Sequence, residues 1–566
     1  MREQDGERVD LGVGDLMLFD TSRPYLAEFA PASAFSPYAE VKAARTVAIA
    51  ATGTVRSRHG LTFVPRVRLA AGDDLDRLLV PGVTAAANPD PEIAATVRRA
   101  GRAVGSEMAV DAHLAGVAAR PGRCGRFGHR VRGRTAGRQG LGEPARSGRE
   151  AMRVTIVGAG IGGLFTALRL HAEGIGCVVY ERGERIRELG VGINALPFAV
   201  AELDALGLLD RLDETGVRTG ELIYTHRLGQ EIMRRPCGLA AGFSHPQISV
   251  HRGRLQGLLH HAVVERLGAD AVRTGHRLVG FEQDATAVTA HFANGSEARG
   301  DVLIGADGIH STVRSALFPD EGPPRWSGMM LWRGATEWPL YGTGRTMVIA
   351  GGNTAKLVVY PIAAGTTPDT RLTNWAIGVM TGRPGDPPPG EQEWTRPADP
   401  ADLAAHVGRF TPGLFDHAAM IESTRDRFEL PMCDRDPLPC WTRGRVTLLG
   451  DAAHPMYPMG SNGAGQAILD AVNLSGHLAG RSGDPAEALL AYQHDRLPAT
   501  ARIVLRNRLG GPEQVIEEVE RRAPDGFDRI EDVIDPSELE AIVTSYLQAS
   551  TGSADQEHSK AATDFA

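Results

Sequence analysis

A short apolar run that meets three glycines and then a helical pattern constrains this chain more than any other feature. The run VTIVGAG (154–160) is rich in β-branched residues, and IGGLFTALRLHAEG (161–174) follows with apolar residues at helical spacing. Gly158, Gly160 and Gly163 form the pattern G-x-G-x-x-G at the junction. The arrangement predicts a parallel β-strand that leads through a tight turn directly into a helix.

The three glycines have separate physical reasons. The first permits the tight turn, the second lets the backbone approach a pyrophosphate, and the third lets helix and strand pack closely. The helix N-terminus adds N–H groups and the positive end of the helix dipole. The next predicted strand, CVVYER (177–182), carries Glu181 near its end, where a carboxylate can accept both ribose hydroxyls of an adenosine. We therefore predict a dinucleotide site, and the motif alone does not separate FAD from NAD.

Two later motifs favour FAD. DVLIGADGIHSTVR (301–314) reads as a buried strand that runs into a polar, glycine-containing turn and a helix. GRVTLLGDAAHPMYPMGSNGAGQAILDA (444–471) reads as a strand, a Gly-Asp turn and a glycine-rich entry into a second helix. With the opening motif and in this order, they resemble the single-component FAD-dependent aromatic hydroxylases, the relatives of para-hydroxybenzoate and salicylate hydroxylase. The resemblance covers about residues 152–509 and is closest to the monooxygenases of phenazine biosynthesis.

The resemblance, together with alternating strand and helix patterns, implies an α/β protein. We expect a Rossmann-like FAD-binding domain with an inserted β-sheet substrate domain, C-terminal helices and an extra N-terminal region. The expected organisation is an incomplete α/β-like region at 1–120, a disordered linker at 121–151, an FAD-binding domain at 152–325 and 441–509 with part of 220–300 on the substrate side, a substrate-binding sheet at 326–440, a helical segment at 510–550 and a disordered tail at 551–566.

The resemblance assigns a set of residues to FAD: Gly158, Gly160, Gly163, Glu181, Arg182, Arg252, Asp307, Gly308, Asp451, Gly460, Asn462 and Gly463. Arg182 would lie by the adenine, and Arg252 would reach the phosphates or the ribityl chain. Asp451 would accept hydrogen bonds from the ribityl hydroxyls. Asp307 and Gly308 match a turn that the family uses in both FAD and nicotinamide binding.

The segment GSNGAG (460–465) should face the flavin pyrimidine. A helix N-terminus there would stabilise the negative charge that a reduced flavin carries near N1. Many relatives read G-x-G-x-N at this place, and this chain does not. Which N–H groups meet the flavin is therefore left open by the sequence.

No catalytic residue is assigned, but four side chains are candidates for the substrate cavity, each with a plainer alternative. His454 is either a proton relay beside the flavin or a histidine that fixes the GDAAHP turn. Tyr360 and Tyr457 either line the cavity or pack as ordinary aromatics. Arg333 lies either in the sheet over the substrate or in a surface salt bridge.

The implied reaction inserts one oxygen atom from O₂ into an aromatic or heteroaromatic small molecule through a flavin C4a-hydroperoxide, with NADH or NADPH as the reductant. We expect non-covalent FAD, no metal, and a monomer or homodimer. The net charge of −8 gives no reason to expect nucleic-acid binding. The charged N-terminus and the lack of a long apolar run predict a cytoplasmic protein without a membrane anchor.

Other flavoproteins fit less well. A flavin halogenase should carry Trp-x-Trp-x-Ile-Pro, and the nearest stretch, WRGATEWP (332–339), does not match. A two-dinucleotide reductase should show a second G-x-G-x-x-G, which is absent. A sensor or regulator fused to a flavoprotein remains an alternative, because residues 1–120 are similar to fragments of AraC-type regulator domains.

Residues 121–150 have a composition that predicts disorder. Eight Arg and eight Gly occur in these thirty positions, with almost no apolar side chains, so the segment cannot bury enough surface to offset its ordering entropy. Met152 stands immediately before the first motif strand. We therefore expect residues 1–151 to be dispensable and the working enzyme to begin at Met152.

Overall fold

The computed structural model describes residues 152–550, except 189, 391–392, 394–395 and 481–483, together with a few short strands between residues 2 and 79. The chain divides into two compact units, Met1–Pro144 and Ala145–Ala566. The strands of the first unit are β1 (Arg2–Gln4), β2 (Glu7–Val9), β3 (Leu26–Ala27), β4 (Thr46–Ala48), β5 (Val55–Arg56), β6 (Thr62–Phe63) and β7 (Arg77–Leu79). The predicted disorder at 121–151 and 551–566, and most of region 1–120, lie outside the described residues.

The described strands and helices of the second unit lie between residues 153 and 550. Its strands are β8 (Arg153–Val157), β9 (Gly176–Tyr180), β10 (Gly192–Ala195), β11 (Val217–Thr219), β12 (Glu221–Thr225), β13 (Glu231–Pro236), β14 (Gln247–His251), β15 (Val272–Arg273), β16 (Leu278–Gln283), β17 (Val288–Phe292), β18 (Glu297–Gly300), β19 (Val302–Gly305), β20 (Arg325–Pro339), β21 (Thr346–Ala350), β22 (Ala355–Ala364), β23 (Thr370–Met380), β24 (Arg427–Asp434) and β25 (Val446–Leu448). Its helices are α1 (Ile161–Ala172), α2 (Pro197–Ala205), α3 (Leu209–Thr215), α4 (Arg252–Leu267), α5 (Thr312–Leu317), α6 (Pro400–Val407), α7 (His417–Ser423), α8 (Gly463–Gly480), α9 (Pro485–Arg508), α10 (Gln514–Arg522) and α11 (Pro536–Ser550). Within the part of the chain that the structure describes, no helix is both long enough and apolar enough to cross a membrane.

The nucleotide-binding sheet confirms the predicted Rossmann-like fold. Its order is β15-β9-β8-β19-β25, and every neighbouring pair in it is parallel. The three sequence motifs supply β8, β19 and β25, which lie side by side. Because the carboxyl ends of parallel strands meet at one edge, the three motif turns meet there too. Buried aliphatic side chains such as Ile156, Leu164 and Leu303 fill the core between this sheet and its helices.

A second, larger sheet stands apart from the first. Its order is β13-β12-β21-β22-β23-β20-β24, and the β12–β21 pair is its parallel pair. Two smaller antiparallel sheets, β10-β14-β11 and β16-β17-β18, complete the unit. Strands β20 to β24 of the large sheet lie between the motifs that supply β19 and β25, whereas β12 and β13 come before β19.

Strand register assigns side chains to the two faces of the large sheet. Arg333 on β20 is opposite Ala376 on β23, which is opposite Val358 on β22. Because side chains alternate along a strand, Arg333 and Val358 share a face with Tyr360 and Lys356, here called the inner face. Trp332, Leu357 and Trp375 belong to the outer face, which packs with residues from α6 and α7.

The C-terminal helices cover part of the inner face. Val515 and Val519 of α10 and Leu539 of α11 are buried in one cluster with Tyr224 and Tyr360 of the sheet. The seven-stranded sheet therefore has a helical layer on each side, and its inner face also borders the nucleotide-binding part through the 457–461 segment.

Candidate functional site

The glycine turn after β8 has the geometry that its sequence predicts. Gly158 has φ of +105°, and a Cβ there would lie 2.4 Å from the Ala306 carbonyl oxygen. A Cβ on Gly163 would lie 2.0 Å from the Gly158 oxygen. A Cβ on Gly160 would meet nothing within 4 Å. Packing within the protein thus requires glycine at positions 158 and 163. Gly160 instead leaves open space beside the N-terminus of α1, which fits a pyrophosphate.

Glu181 stands one residue beyond β9, beside this turn. One carboxylate oxygen accepts a hydrogen bond from Ala159 N–H and the other from Gly183 N–H, both at 2.9 Å. Gln256, which the sequence analysis missed, donates its side-chain N–H to the Ala159 carbonyl at 2.7 Å. Its spacing was a signal that could have found it, because Gln256 lies four residues after Arg252 and so shares a helix face with it. The neighbouring Arg182 is exposed.

Arg252 and Asp451 are far apart in sequence, but their opposite charges interact in the folded protein. Arg252 is the first residue of α4, and Asp451 lies in the turn after β25. Asp451 is accessible to solvent although protein surrounds it on most sides, which places it in a cleft. Desolvation lowers the pKa of Arg252 and raises the pKa of Asp451, and their mutual attraction opposes both shifts.

The side chain of Asp307 is engaged within its own turn. It accepts hydrogen bonds from the Ser311 hydroxyl at 2.5 Å and from Thr312 N–H at 2.7 Å. Burial raises the pKa of this carboxyl, and those hydrogen bonds oppose the rise. Asp307 thereby fixes the start of α5, while Gly308, with φ of +80°, allows the turn. These contacts give the carboxylate a structural part in shaping the motif.

His454 contacts Asp470 of α8, at 2.5 Å between Nε2 and Oδ2. The same oxygen accepts a hydrogen bond from Gly450 N–H at 3.1 Å, and the other oxygen accepts one from Arg496 at 2.7 Å. Burial alone would raise the pKa of Asp470, but His454 and Arg496 bring it down to about 2. His454 and Gly450 both contact Asp470, so the turn that carries Asp451 is held against α8, and the proton-relay role of His454 stays a prediction. The sequence analysis missed Asp470 and Arg496, although a carboxylate within the apolar pattern QAILDAVNL was a signal.

The glycine-rich segment 460–465 forms the turn before α8 and the first residues of that helix. Gly460 has φ of +67°, and the buried Asn462 donates its side-chain N–H to the Gly460 carbonyl at 3.1 Å. A Cβ on Gly465 would lie 2.7 Å from the ring of Phe198 on α2, so this glycine is required by helix packing. A Cβ on Gly463, the first residue of α8, would meet nothing within 4 Å. The position with open space is therefore Gly463, where α8 begins.

Arg333 and Tyr360 lie together on the inner face. Arg333 is 8% exposed, which excludes the surface salt bridge considered for it. The pKa of Arg333 is lowered to about 9, chiefly by burial and also by the charge of Arg252, while Tyr360 opposes the shift. Because a guanidinium stays charged at neutral pH, the inner face holds a poorly solvated positive charge. Tyr457 lies in a separate cluster with methionines, among them Met459.

A buried ion pair on the same face has no counterpart in the sequence analysis. Lys356 donates to a carboxylate oxygen of Glu513, from the segment between α9 and α10, and both residues are almost inaccessible to solvent. The lysine Nζ also lies 3.2 Å from the sulfur of Met459. A lysine within the otherwise apolar strand pattern KLVVYPI was the signal that could have found it.

Known proteins match the same parts of the chain. A family model described as an FAD binding domain matches residues 151–337 and 429–507. A phenazine 1,6-dicarboxylic acid hydroxylase of Lysobacter antibioticus is 44% identical over 370 residues, covering 63% of this chain and 89% of the relative. A 3-amino-4-hydroxybenzoate 2-monooxygenase of Streptomyces cremeus is 35% identical, covering 63% and 86%. The crystal structure of Klebsiella pneumoniae HpxO complexed with FAD and uric acid matches with a TM-score of 0.55 and 25% identity, over 73% of this chain and 96% of that one.

Proposed function

The chain belongs to the FAD-dependent aromatic monooxygenases, and from this premise we propose that its substrate is an aromatic or heteroaromatic ring that carries a carboxylate. The enzyme uses FAD with NAD(P)H as reductant and inserts one atom of O₂ into a small aromatic molecule. Phenazine 1,6-dicarboxylic acid and 3-amino-4-hydroxybenzoate, which appear in the names of two relatives, are both aromatic carboxylic acids. The observation that carries the proposal is the buried Arg333 on the inner face.

A carboxylate is the group that best complements this arginine. A guanidinium can donate two parallel hydrogen bonds to a carboxylate, and such charge-assisted pairs are about twice as strong as neutral ones. Arg333 has little solvent around it, and the nearby Arg252 adds to the positive potential. An anionic ring seated on the inner face would relieve that potential, whereas a neutral ring would not.

Bound FAD supplies the activation of O₂ and the transfer of one oxygen atom to the ring. We assign binding of the pyrophosphate to the turn at Gly158–Gly163, the adenosine ribose to Glu181 and the ribityl chain to Asp451. We assign the flavin pyrimidine to the start of α8, where the positive end of the helix dipole would stabilise negative charge on the bound flavin. The buried methionines around Tyr457 and the apolar residues of the covering helices would help to exclude water from a substrate bound on the inner face.

The substrate assignment is tested by following NAD(P)H oxidation and product formation with matched pairs of compounds. Each pair consists of a hydroxylated benzoate or phenazine carboxylate and the same ring without its carboxylate. The carboxylated member should have a kcat/KM higher by about tenfold or more, the size of one charge-assisted hydrogen bond. Equal values throughout the panel would contradict the proposal.

Replacing Glu181 or Asp451 with alanine should weaken FAD binding by about 10- to 100-fold. Each change removes a charge-assisted hydrogen bond to a ribose or ribityl hydroxyl, worth about 1.5–3 kcal/mol. The dissociation constant is measured by flavin fluorescence after FAD has been released from the holoenzyme, and non-covalent FAD should appear in the supernatant after heat denaturation.

Glu173→Ala, at an exposed carboxylate just beyond α1, is the matched control and should bind FAD as the unaltered chain does. Unchanged dissociation constants in both test variants would show that the two acids do not hold the cofactor. Flavin that stays with the precipitated protein would contradict non-covalent binding.

We also propose that residues 1–151 are dispensable for FAD binding and turnover. The family match begins at residue 151, and the phenazine relative is covered over 89% of its length by 63% of this chain. A chain that starts at Met152 should keep its FAD content and should match the full chain in Tm and kcat/KM. A loss of several degrees in Tm, about 1 kcal/mol or more, would instead show that the N-terminal region stabilises the enzyme.

A further inference from the structure

Ser461 has an unusual backbone conformation at the entrance to α8. Among the described residues, it is the one non-glycine residue with positive φ, at 57°. The preceding Gly460 also has positive φ, at 67°, which glycine adopts freely. A serine in this region is strained because its Cβ approaches the following carbonyl, so something must hold it there.

A chain of buried polar side chains reaches Ser461 from a different part of the fold. Asn194 on β10 donates its side-chain N–H to the Ser461 hydroxyl oxygen at 3.2 Å. The Asn194 carbonyl oxygen accepts a hydrogen bond from the Ser249 hydroxyl at 2.5 Å, and Ser249 lies 2.6 Å from the hydroxyl of Thr219. Asn194, Ser249 and Thr219 are each no more than 4% exposed. Burying three polar side chains is favourable only when they satisfy one another, so the chain defines the position of Asn194 closely.

Asn194 connects its own strand β10 with the large sheet and with the segment that precedes α8. Its side-chain nitrogen also lies 3.6 Å from the sulfur of Met347 on the inner face of the large sheet. Ser461 comes two residues before Gly463, where α8 begins. The direction of the N–H groups in the first turn of α8 therefore depends on the backbone at Ser461.

We propose that Asn194 is a positioning residue for the flavin: it holds Ser461 in the left-handed conformation and so aims the start of α8 at the flavin pyrimidine. The inference rests on the placement of the pyrimidine at this segment under the proposed function. The sequence left open which backbone N–H groups meet the flavin, and this inference assigns that role to the N–H groups of residues 461–463. A reduced flavin, negatively charged near N1, is stabilised by these groups only while the segment keeps this shape.

Two variants at Ser461 separate positioning from simple loss of a contact. Ser461→Ala removes the hydroxyl that Asn194 holds and keeps the Cβ that disfavours positive φ. Ser461→Gly removes the hydroxyl and the Cβ together, so the segment can keep its conformation without Asn194. Ser461→Ala should therefore bind FAD about tenfold more weakly than Ser461→Gly, and its flavin midpoint potential should be more negative.

The second part of the experiment introduces Asn194→Ala into the unaltered chain and into the Ser461→Gly variant. In the unaltered chain it should raise the FAD dissociation constant about tenfold and lower the midpoint potential. In the Ser461→Gly background the same change should raise the dissociation constant less than about threefold. Flavin fluorescence and dye-coupled reductive titration of the holoenzyme give both readouts, and neither uses substrate, so the result is independent of the aromatic-carboxylate assignment.

Equal behaviour of Ser461→Ala and Ser461→Gly would overturn the inference. An Asn194→Ala effect of the same size in both backgrounds would also overturn it, because it would show that Asn194 acts through general packing. Should Asn194→Ala fail to fold, the Ser461 pair still decides the matter, since Ser461 is only half-buried and both variants are small.

Discussion

Replacing Arg333 with methionine should lower kcat/KM for an aromatic carboxylate by about 100-fold or more. The change removes a bidentate, charge-assisted pair in a poorly solvated setting, with each hydrogen bond worth about 1.5–3 kcal/mol. Methionine keeps most of the volume of the side chain, and far-UV circular dichroism and FAD content check that the variant folds. Steady-state kinetics with NAD(P)H, with and without the carboxylate on the ring, measures the effect.

Arg325→Met is the matched control. Arg325 lies on the same strand, at an exposed position where it pairs with Asp436, so its replacement should leave kcat/KM within about twofold. The effect at Arg333 should also shrink to a few-fold for a ring that lacks the carboxylate. An equal loss with both rings would mean that Arg333 acts on the flavin or on the fold and does not recognise the acid.

Breaking the buried pair of Lys356 and Glu513 should have the largest effect on stability. Lys356→Met leaves the Glu513 carboxylate buried without its cation, and uncompensated buried charges of this kind cost about 3–5 kcal/mol. The second change Glu513→Gln in the same chain should recover much of that loss, because it removes the unpaired charge. Urea denaturation followed by flavin fluorescence and far-UV circular dichroism measures the free energy of unfolding.

An exposed ion pair provides the comparison. Arg521 and Glu518 on α10 form a pair with substantial solvent exposure, and Arg521→Met should produce no measurable change. A Lys356→Met variant as stable as the unaltered chain would show that water reaches the Glu513 carboxylate. A double variant less stable than Lys356→Met would show that the pair contributes chiefly through packing.

Local patterns predicted the nucleotide-binding part of the enzyme well. The strand, the glycine turn and the helix at 154–174 follow from residues that are neighbours in sequence, so their spacing alone specifies the element. The assignment of Arg252 and Asp451 to the same cofactor came only from the resemblance to known enzymes, because no local pattern links the two residues. The structure adds that the two charges attract each other.

The contacts that the sequence did not predict join distant residues. Lys356 and Glu513 are 157 positions apart, and Asn194 and Ser461 are 267 apart. No periodicity or motif encodes such pairs, because each side chain is an ordinary member of its own element. The hint that a sequence offers is a charged or amide side chain inside an apolar pattern, which says that a partner exists without saying where.

The order of strands in the nucleotide-binding sheet has a consequence for how the enzyme is made. The edge strand β25 pairs with β19, yet all strands of the seven-stranded sheet are synthesised before β25. Strands β12 and β13 precede β19, and β20 to β24 lie between β19 and β25. At about 5–20 residues per second, tens of seconds separate the emergence of β8 from that of β25 on the ribosome. From the emergence of β19 until that of β25, the nascent chain carries an unpaired, apolar strand edge, which is a place where another chain can pair. Because Asp451, to which we assign the ribityl chain, follows β25, we expect the complete FAD site to form only after the long insertion has been synthesised.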